Sequence, residues 1–149
     1  MPFQTSYTQF QPAGYPGMHM DMSEWDATTK TATGTIAFGA PVQRVAGGGC
    51  APLTTGEYLG IAAASHIMTG NGDQYTTGDN VPVANEGKWG GTADAAIAEG
   101  AAVNWNSTTG RWTNAAVAGA VYAVPGAEAD TAAAGAGSFF SVRLRRIPS

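Results

Sequence analysis

The sequence is short of most of the residues from which protein chemistry is built. It has one cysteine, Cys50, so no disulfide can close within the chain. Two histidines, His19 and His66, are too few for most zinc sites assembled by a single chain. Charged residues make up 12% of 149 positions, and 7 basic against 11 acidic side chains leave a net charge of −4. No basic stripe stands out of that balance, which argues against nucleic-acid binding. No apolar run approaches the ~18 residues of a membrane-spanning helix. Met1-Pro2-Phe3-Gln4-Thr5 lacks a basic stretch followed by an apolar one, so no secretory signal is expected. Large apolar residues are scarce too. Leu, Ile, Val and Phe together number 22, a share below the ~20% at which disorder enters consideration. Disorder also requires high net charge, which −4 does not supply.

What is abundant is small. Ala (28), Gly (21) and Thr (17) fill much of the chain, so packing must bring backbone close to backbone. The length fits one domain on the usual scale of ~100–200 residues. Such a domain has just enough interior to fold alone, and a thin core shifts support toward neighbouring molecules.

Residues 1–34 differ from the rest. Phe3, Tyr7, Phe10, Tyr15 and Trp25 are spaced through Gln, Thr, Pro and Gly, and Pro12 and Pro16 forbid a helix across them. This pattern predicts an extended N-terminal arm that carries aromatic anchors. Residues 35–149 read as a β-domain of short strands punctuated by turns. Thr35-Ile36-Ala37-Phe38, Val42-Gln43-Arg44-Val45 and the buried-looking run from Glu57 to Ser65 come first. Asn80 to Ala84 and Lys88 to Thr92 flank Asn85-Glu86-Gly87, which predicts a hairpin. Val103-Asn104-Trp105 and Arg111-Trp112-Thr113 predict a second. Val121 to Val124 ends at Pro125-Gly126, and Phe139 to Leu144 alternates as a closing strand. Ala93 to Glu99 has room for one or two helical turns before Gly100. The expected fold is all-β: a small sandwich or barrel, jelly-roll-like, with an extended arm.

A search for an active site returns little. Gly47-Gly48-Gly49 lacks the spacing and the following Lys-Ser/Thr of a phosphate loop, so it reads as a flexible connection. Cys50 after that run resembles an exposed nucleophile, but a lone cysteine in an Ala-rich chain is more often a small buried hydrophobe. Asn71, Asp73 and Asp79 are candidate ion ligands without the alternating pattern of an EF-hand, and turn formation is the default reading. Asp94 and Glu99 are too isolated for a glycosidase pair. Tyr58, Trp89, Trp105, Trp112 and Tyr122 lie on expected strands and would line either a carbohydrate groove or the core itself. Arg143, Arg145 and Arg146 gather three of seven cations at one end, with Arg143 and Arg145 on one strand face. They would either dock an acidic surface or guard an edge strand. No catalytic set, cofactor or metal is expected.

The order of elements resembles the structural cement, or capsid decoration, proteins of tailed bacteriophages. The similarity starts at Phe3, Phe10-Gln11-Pro12-Ala13 and Gly17 and continues through Thr35 to Gly39, Val42 and Leu59-Gly60-Ile61-Ala62. Tyr75-Thr76-Thr77-Gly78-Asp79-Asn80-Val81-Pro82-Val83 resembles the family's aromatic-x-x-Gly-Asp-x-Val-x-Val stretch. Ala95 to Val103, Thr109-Gly110, Val124-Pro125-Gly126-Ala127 and Val142-Arg143-Leu144 complete the order. The glycines of Lys88-Trp89-Gly90-Gly91-Thr92 and the acids of Glu128-Ala129-Asp130 depart from the family pattern. The resemblance implies a virion protein on the outer surface of an assembled capsid, cementing neighbouring major capsid subunits, assembled in the bacterial host cytoplasm. Its implied partners are the major capsid protein and other copies of itself, as a dimer or trimer at capsid symmetry axes, with no nucleic acid and no membrane. Phe3, Tyr7, Phe10, Tyr15, Trp25, Arg143, Arg145 and Arg146 are the expected interface residues. The rival reading is a carbohydrate-binding β-module of a phage tail or host-attachment protein, with Trp89, Trp105 and Trp112 as stacking platforms.

Overall fold

The computed structural model describes residues 14–21, 24–65 and 72–145. They form twelve strands and no helix, so the all-β expectation holds. Five strands close a barrel: β1 (Asp26–Ala32), β3 (Pro41–Arg44), β4 (Gly49–Pro52), β5 (Tyr58–Ala62) and β7 (Asn80–Thr92). Around the ring the order is β1-β4-β3-β5-β7 and back to β1. An odd ring cannot alternate direction all the way round, so one pair must run parallel. That pair is β1 with β4, through Thr31↔Gly49 and Ala32↔Cys50. β1 lies inside the stretch 1–34 that reads from sequence as an arm. Its alternating Thr-Lys-Thr is polar because most of that strand faces solvent, and Ala32 is its fully buried position.

Val42, Cys50, Val81 and Val83 share one face of the barrel strands, and Ile61, paired with Ala84, is buried on the other; each is 2% exposed or less. The small residues do the rest. A Cβ on Gly60 would stand 2.3 Å from the Ala84 carbonyl oxygen, so only glycine lets β5 approach β7 this closely.

β7 departs most from expectation. The hairpin predicted around Asn85-Glu86-Gly87 is absent, and thirteen residues run on as one strand. Gly87 does take a positive φ of 113°, but it redirects the strand without reversing it. A Cβ there would meet Trp25 Cβ at 2.8 Å, so the bend accommodates a neighbouring indole. Each half of β7 then has different partners. The first half pairs with β1 and β5 in the barrel. The second pairs with β12 (Phe139–Leu144), from Leu144↔Gly87 to Phe139↔Thr92, and β11 (Ala127–Ala129) lies beyond β12.

Two smaller sheets complete the fold. β2 (Ile36–Ala37) pairs with β6 (Gln74–Tyr75). β8 (Asn104–Asn106) and β9 (Arg111–Thr113) form the second predicted hairpin with Trp105 opposite Trp112, and β10 (Val121–Tyr122) joins the far side of β8. Residues 93–99 are not helical. Seven residues before a glycine are too few to sustain a helix, whereas Ile97 and Ala133 exchange both backbone hydrogen bonds, at 3.0 and 2.9 Å.

Candidate functional site

The described part of the N-terminal region is stitched to the outer side of β7. Gly17 N–H donates to the Gly90 carbonyl at 3.0 Å, Gly90 N–H to the Met18 carbonyl at 2.8 Å, and Met20 N–H to the Lys88 carbonyl at 2.9 Å. Three rings lock this arrangement. The His19 imidazole lies 4.9 Å from Trp89 and 5.0 Å from Trp25, and the two indoles meet edge-on at 6.1 Å. Trp89 is buried and donates its Nε1–H to the Glu86 carbonyl at 3.1 Å, while Trp25 stays 53% exposed. Tyr15, at the other end of the stitched segment, is 41% exposed. Phe3, Tyr7 and Phe10 lie outside the described residues.

Tyr15 and Pro16 form one wall of a cavity of about 530 Å³, with Phe38, Trp105 and Trp112 among its other walls. Asp73 is the one carboxylate in its described lining, so no acid–base pair converges there. The chemistry of the space is that of an apolar recess. Above it, the buried Tyr75 hydroxyl donates to the Ala63 carbonyl. Burial, with the nearby Asp79 charge, pushes that phenol up to about 12.

A charged strip crosses β7, β12 and β11, where Lys88, Arg143 and Glu128 stand in register. Lys88 Nζ sits 3.2 Å from Asp21 and 3.4 Å from Asp130. Its hydrogen bond to Asp21, with the Asp130 charge, raises its pKa above the usual lysine value. Arg145 gives Glu128 two hydrogen bonds at 2.8 and 3.1 Å, and Arg143 approaches the same carboxylate at 3.8 Å. The basic cluster seen in sequence is therefore answered by the chain's own acids. The signal for this was the acidic Glu128-Ala129-Asp130, which the sheet places beside the arginines. Arg146 lies outside the described residues.

Other candidates resolve into structure. Cys50 is fully buried on β4, and burial pushes its thiol up, partly countered by Lys30, the opposite of an activated nucleophile. Asp79 Oδ2 accepts from the Thr76 N–H at 2.8 Å and the Thr76 hydroxyl at 3.1 Å, so it caps a turn. Asn71 lies outside the described residues, and among the described ones no group of three His, Cys, Asp or Glu gathers as metal ligands. Trp89, Trp105 and Trp112 are 3%, 9% and 1% exposed, so none presents an open face for a sugar ring.

The comparisons complete this picture. Residues 3–145 match the family described as structural cement protein (E217 gp24/Pam3 gp6). The chain is a phage structural cement protein. No curated protein matches it. Among solved structures it is similar to a chain from the capsid of Myoviridae Phage XM1, with a TM-score of 0.77 at 19% identity over 99% of this chain and 100% of that one. Membership makes this cement protein a structural, capsid-stabilising component, a non-enzymatic role. The carbohydrate-binding reading finds no support.

Proposed function

We propose that this cement protein binds the outer surface of an assembled capsid in the virion, after assembly in the host cytoplasm, and bridges neighbouring major capsid subunits. Copies of it associate as a dimer or trimer at capsid symmetry axes. The observation that carries the reading is the exposure of Tyr15 and Trp25, which flank the segment stitched to β7, where the residues bearing Phe3, Tyr7 and Phe10 join the described fold. Ordering an extended segment costs about 1–2 kcal/mol per residue in backbone entropy, so its aromatics must become buried in what it binds. Arg143, Arg145 and Arg146 act at the rim, where Glu128 holds two of them and salt screens the rest. A ligand of the assembled state alone stabilises it by RT ln(1 + [L]/Kd), about 2.7 kcal/mol at a hundredfold excess.

The test is to delete residues 2–13, upstream of everything stitched to β7, and to measure co-sedimentation with capsids that lack the protein. The truncated chain keeps its thermal midpoint, loses at least about tenfold in capsid affinity, and no longer delays thermal release of DNA. Equal binding by the truncated and full chains overturns the role of the arm.

A further inference from the structure

β10 is an unusual edge. In its three-stranded sheet the order is β10-β8-β9. The far side of β9 is closed, because Ala93 bridges Trp112 and Asp94 N–H donates to the Trp112 carbonyl at 2.8 Å. The outer side of β10 has no strand beside it among the described residues. Its polar groups follow from the ladder. Ser107 N–H donates to the Ala120 carbonyl at 3.0 Å, and Val121↔Asn106 and Tyr122↔Trp105 continue that register. Antiparallel alternation then turns Tyr122 toward β8 and Val121 away from it. The Val121 N–H is used by the Ala118 carbonyl at 3.0 Å. The Val121 carbonyl and the Ala123 N–H have no hydrogen-bond partner among the described residues.

The surroundings lack the usual protection of an edge. Between Glu99 and Glu128 the sequence holds one charge, Arg111. Just before β10, residues 114–119 are all exposed, and Val117, at 55%, is the most exposed large apolar side chain described. Edge strands are normally guarded by shortness, lysine, proline or a bulge. β10 is short, at two residues, but carries no lysine, proline or bulge.

We infer that β10 and the Ala115–Ala118 loop form a self-association surface, in which the β10 edges of two copies pair antiparallel about a two-fold axis through Tyr122. The partner is a second copy because the edge is complementary to itself. A donor at Ala123 and an acceptor at Val121 are two residues apart, so two-fold pairing matches each Ala123 N–H with the other copy's Val121 carbonyl. Charge points the same way. A chain of net charge −4 repels its copies, and this lobe presents almost no charge to oppose contact. The inference rests on the self-association part of the proposed function and gives it a surface.

Sedimentation velocity of the full chain over a concentration series tests it, beside Ala123→Pro, which removes the donor, and Val117→Lys, which places a charge in the loop. Far-UV circular dichroism and thermal melts establish that each variant folds, and Val117→Lys serves alone where Ala123→Pro does not. The wild type rises from 15.1 kDa toward twice that mass, and each folded variant dissociates about tenfold more readily. A wild type that stays monomeric throughout, or a dimer that both folded variants leave unchanged, overturns the inference. Capsid co-sedimentation of the same proteins separates this from the proposed function. A monomeric wild type whose capsid occupancy falls in Ala123→Pro assigns the edge to the capsid and overturns self-pairing alone. A dimeric wild type that ignores capsids overturns the proposed function alone.

Discussion

The barrel and the β8–β10 lobe are made from similar residues but handle their backbones in opposite ways. The barrel closes on itself, so its five strands have no free edge, and Val42, Val81 and Val83 are buried together on one face of them. The lobe has strands of two or three residues, one cation between Glu99 and Glu128, an open edge and an exposed apolar loop. β7 serves both, with its first half a barrel stave and its second half the support for β12 and the docked N-terminal segment. The difference teaches that a thinly cored chain can close a barrel around small side chains. Valine, alanine and cysteine suffice on the barrel strands. The short strands of the lobe are instead held by two of the largest buried rings, Trp105 and Trp112, and its outer edge is left sparsely charged.

The sharpest way to break the comparison is to empty each region. Ile61→Ala should cost about 2–5 kcal/mol in chemical denaturation, because the packing around a fully buried side chain on a barrel strand relaxes only partly when it is lost. Val117→Ala should stay within about 0.5 kcal/mol, as a surface substitution does. Equal costs would mean that the lobe loop is packed like the barrel.

Alkaline titration comes next. The Tyr75 phenol is raised to about 12 in the fold from an ordinary value of 10.0. A raised value favours the protonated folded state, so this contribution is fully present below pH ~10 and lost as pH rises through ~12. The loss amounts to roughly 2–3 kcal/mol. Tyr58, half-buried with its hydroxyl enclosed, and the raised Lys88 act in the same direction. Thermal melts from about pH 8 to about pH 12 should therefore fall steeply in the wild type, and Tyr75→Phe should flatten the slope without abolishing it. An unchanged slope in that variant would detach alkaline sensitivity from the Tyr75 phenol.

Glycine replacement gives a smaller contrast. Gly60→Ala forces a Cβ against the Ala84 carbonyl and should cost about 1–3 kcal/mol. Gly135→Ala, in the connection between β11 and β12, meets nothing within 4 Å and should be neutral or stabilise by about 0.4–1 kcal/mol. Equilibrium denaturation of both reads the difference. Least of all, Trp25→Ala removes one edge-on ring contact with Trp89 and should cost about 0.5–1.5 kcal/mol. Native-state hydrogen exchange should place the loss at Met20 and Gly90, whose N–H groups stitch the segment to β7. A loss spread over the barrel would show that the segment is part of the core.

Local signals explain what was legible in the residues. The β8–β9 hairpin needed only a turn between two short apolar runs, and Trp105 falls opposite Trp112 as that spacing requires. β12 was legible through its alternation, and Arg143 and Arg145 do share a face, since both reach Glu128. β7 was misread because Asn-Glu-Gly has the chemistry of a turn, while its actual role depends on Trp25 and β12, distant in sequence. β1 was absorbed into the arm because a polar, threonine-rich strand carries little hydrophobic signal. The pairing of the arginines with Glu128 was out of reach for a different reason: it depends on β11 lying beside β12.

The pattern of short strands and turns by itself determined that this chain is all-β, and its composition that the core is thin. Abundant Gly, Ala and Thr with few large aliphatics favours short strands and close backbone approach, and a single cysteine with two histidines leaves little chemistry to assemble. Tertiary structure alone decided that the barrel closes through one parallel pair, that Trp25 and His19 join Trp89, and that β10 is left with an open edge. The physical reason is range. Turn chemistry and side-chain alternation act over a few residues, whereas ring closure and strand neighbours are set by contacts between segments tens of residues apart, which no local pattern encodes.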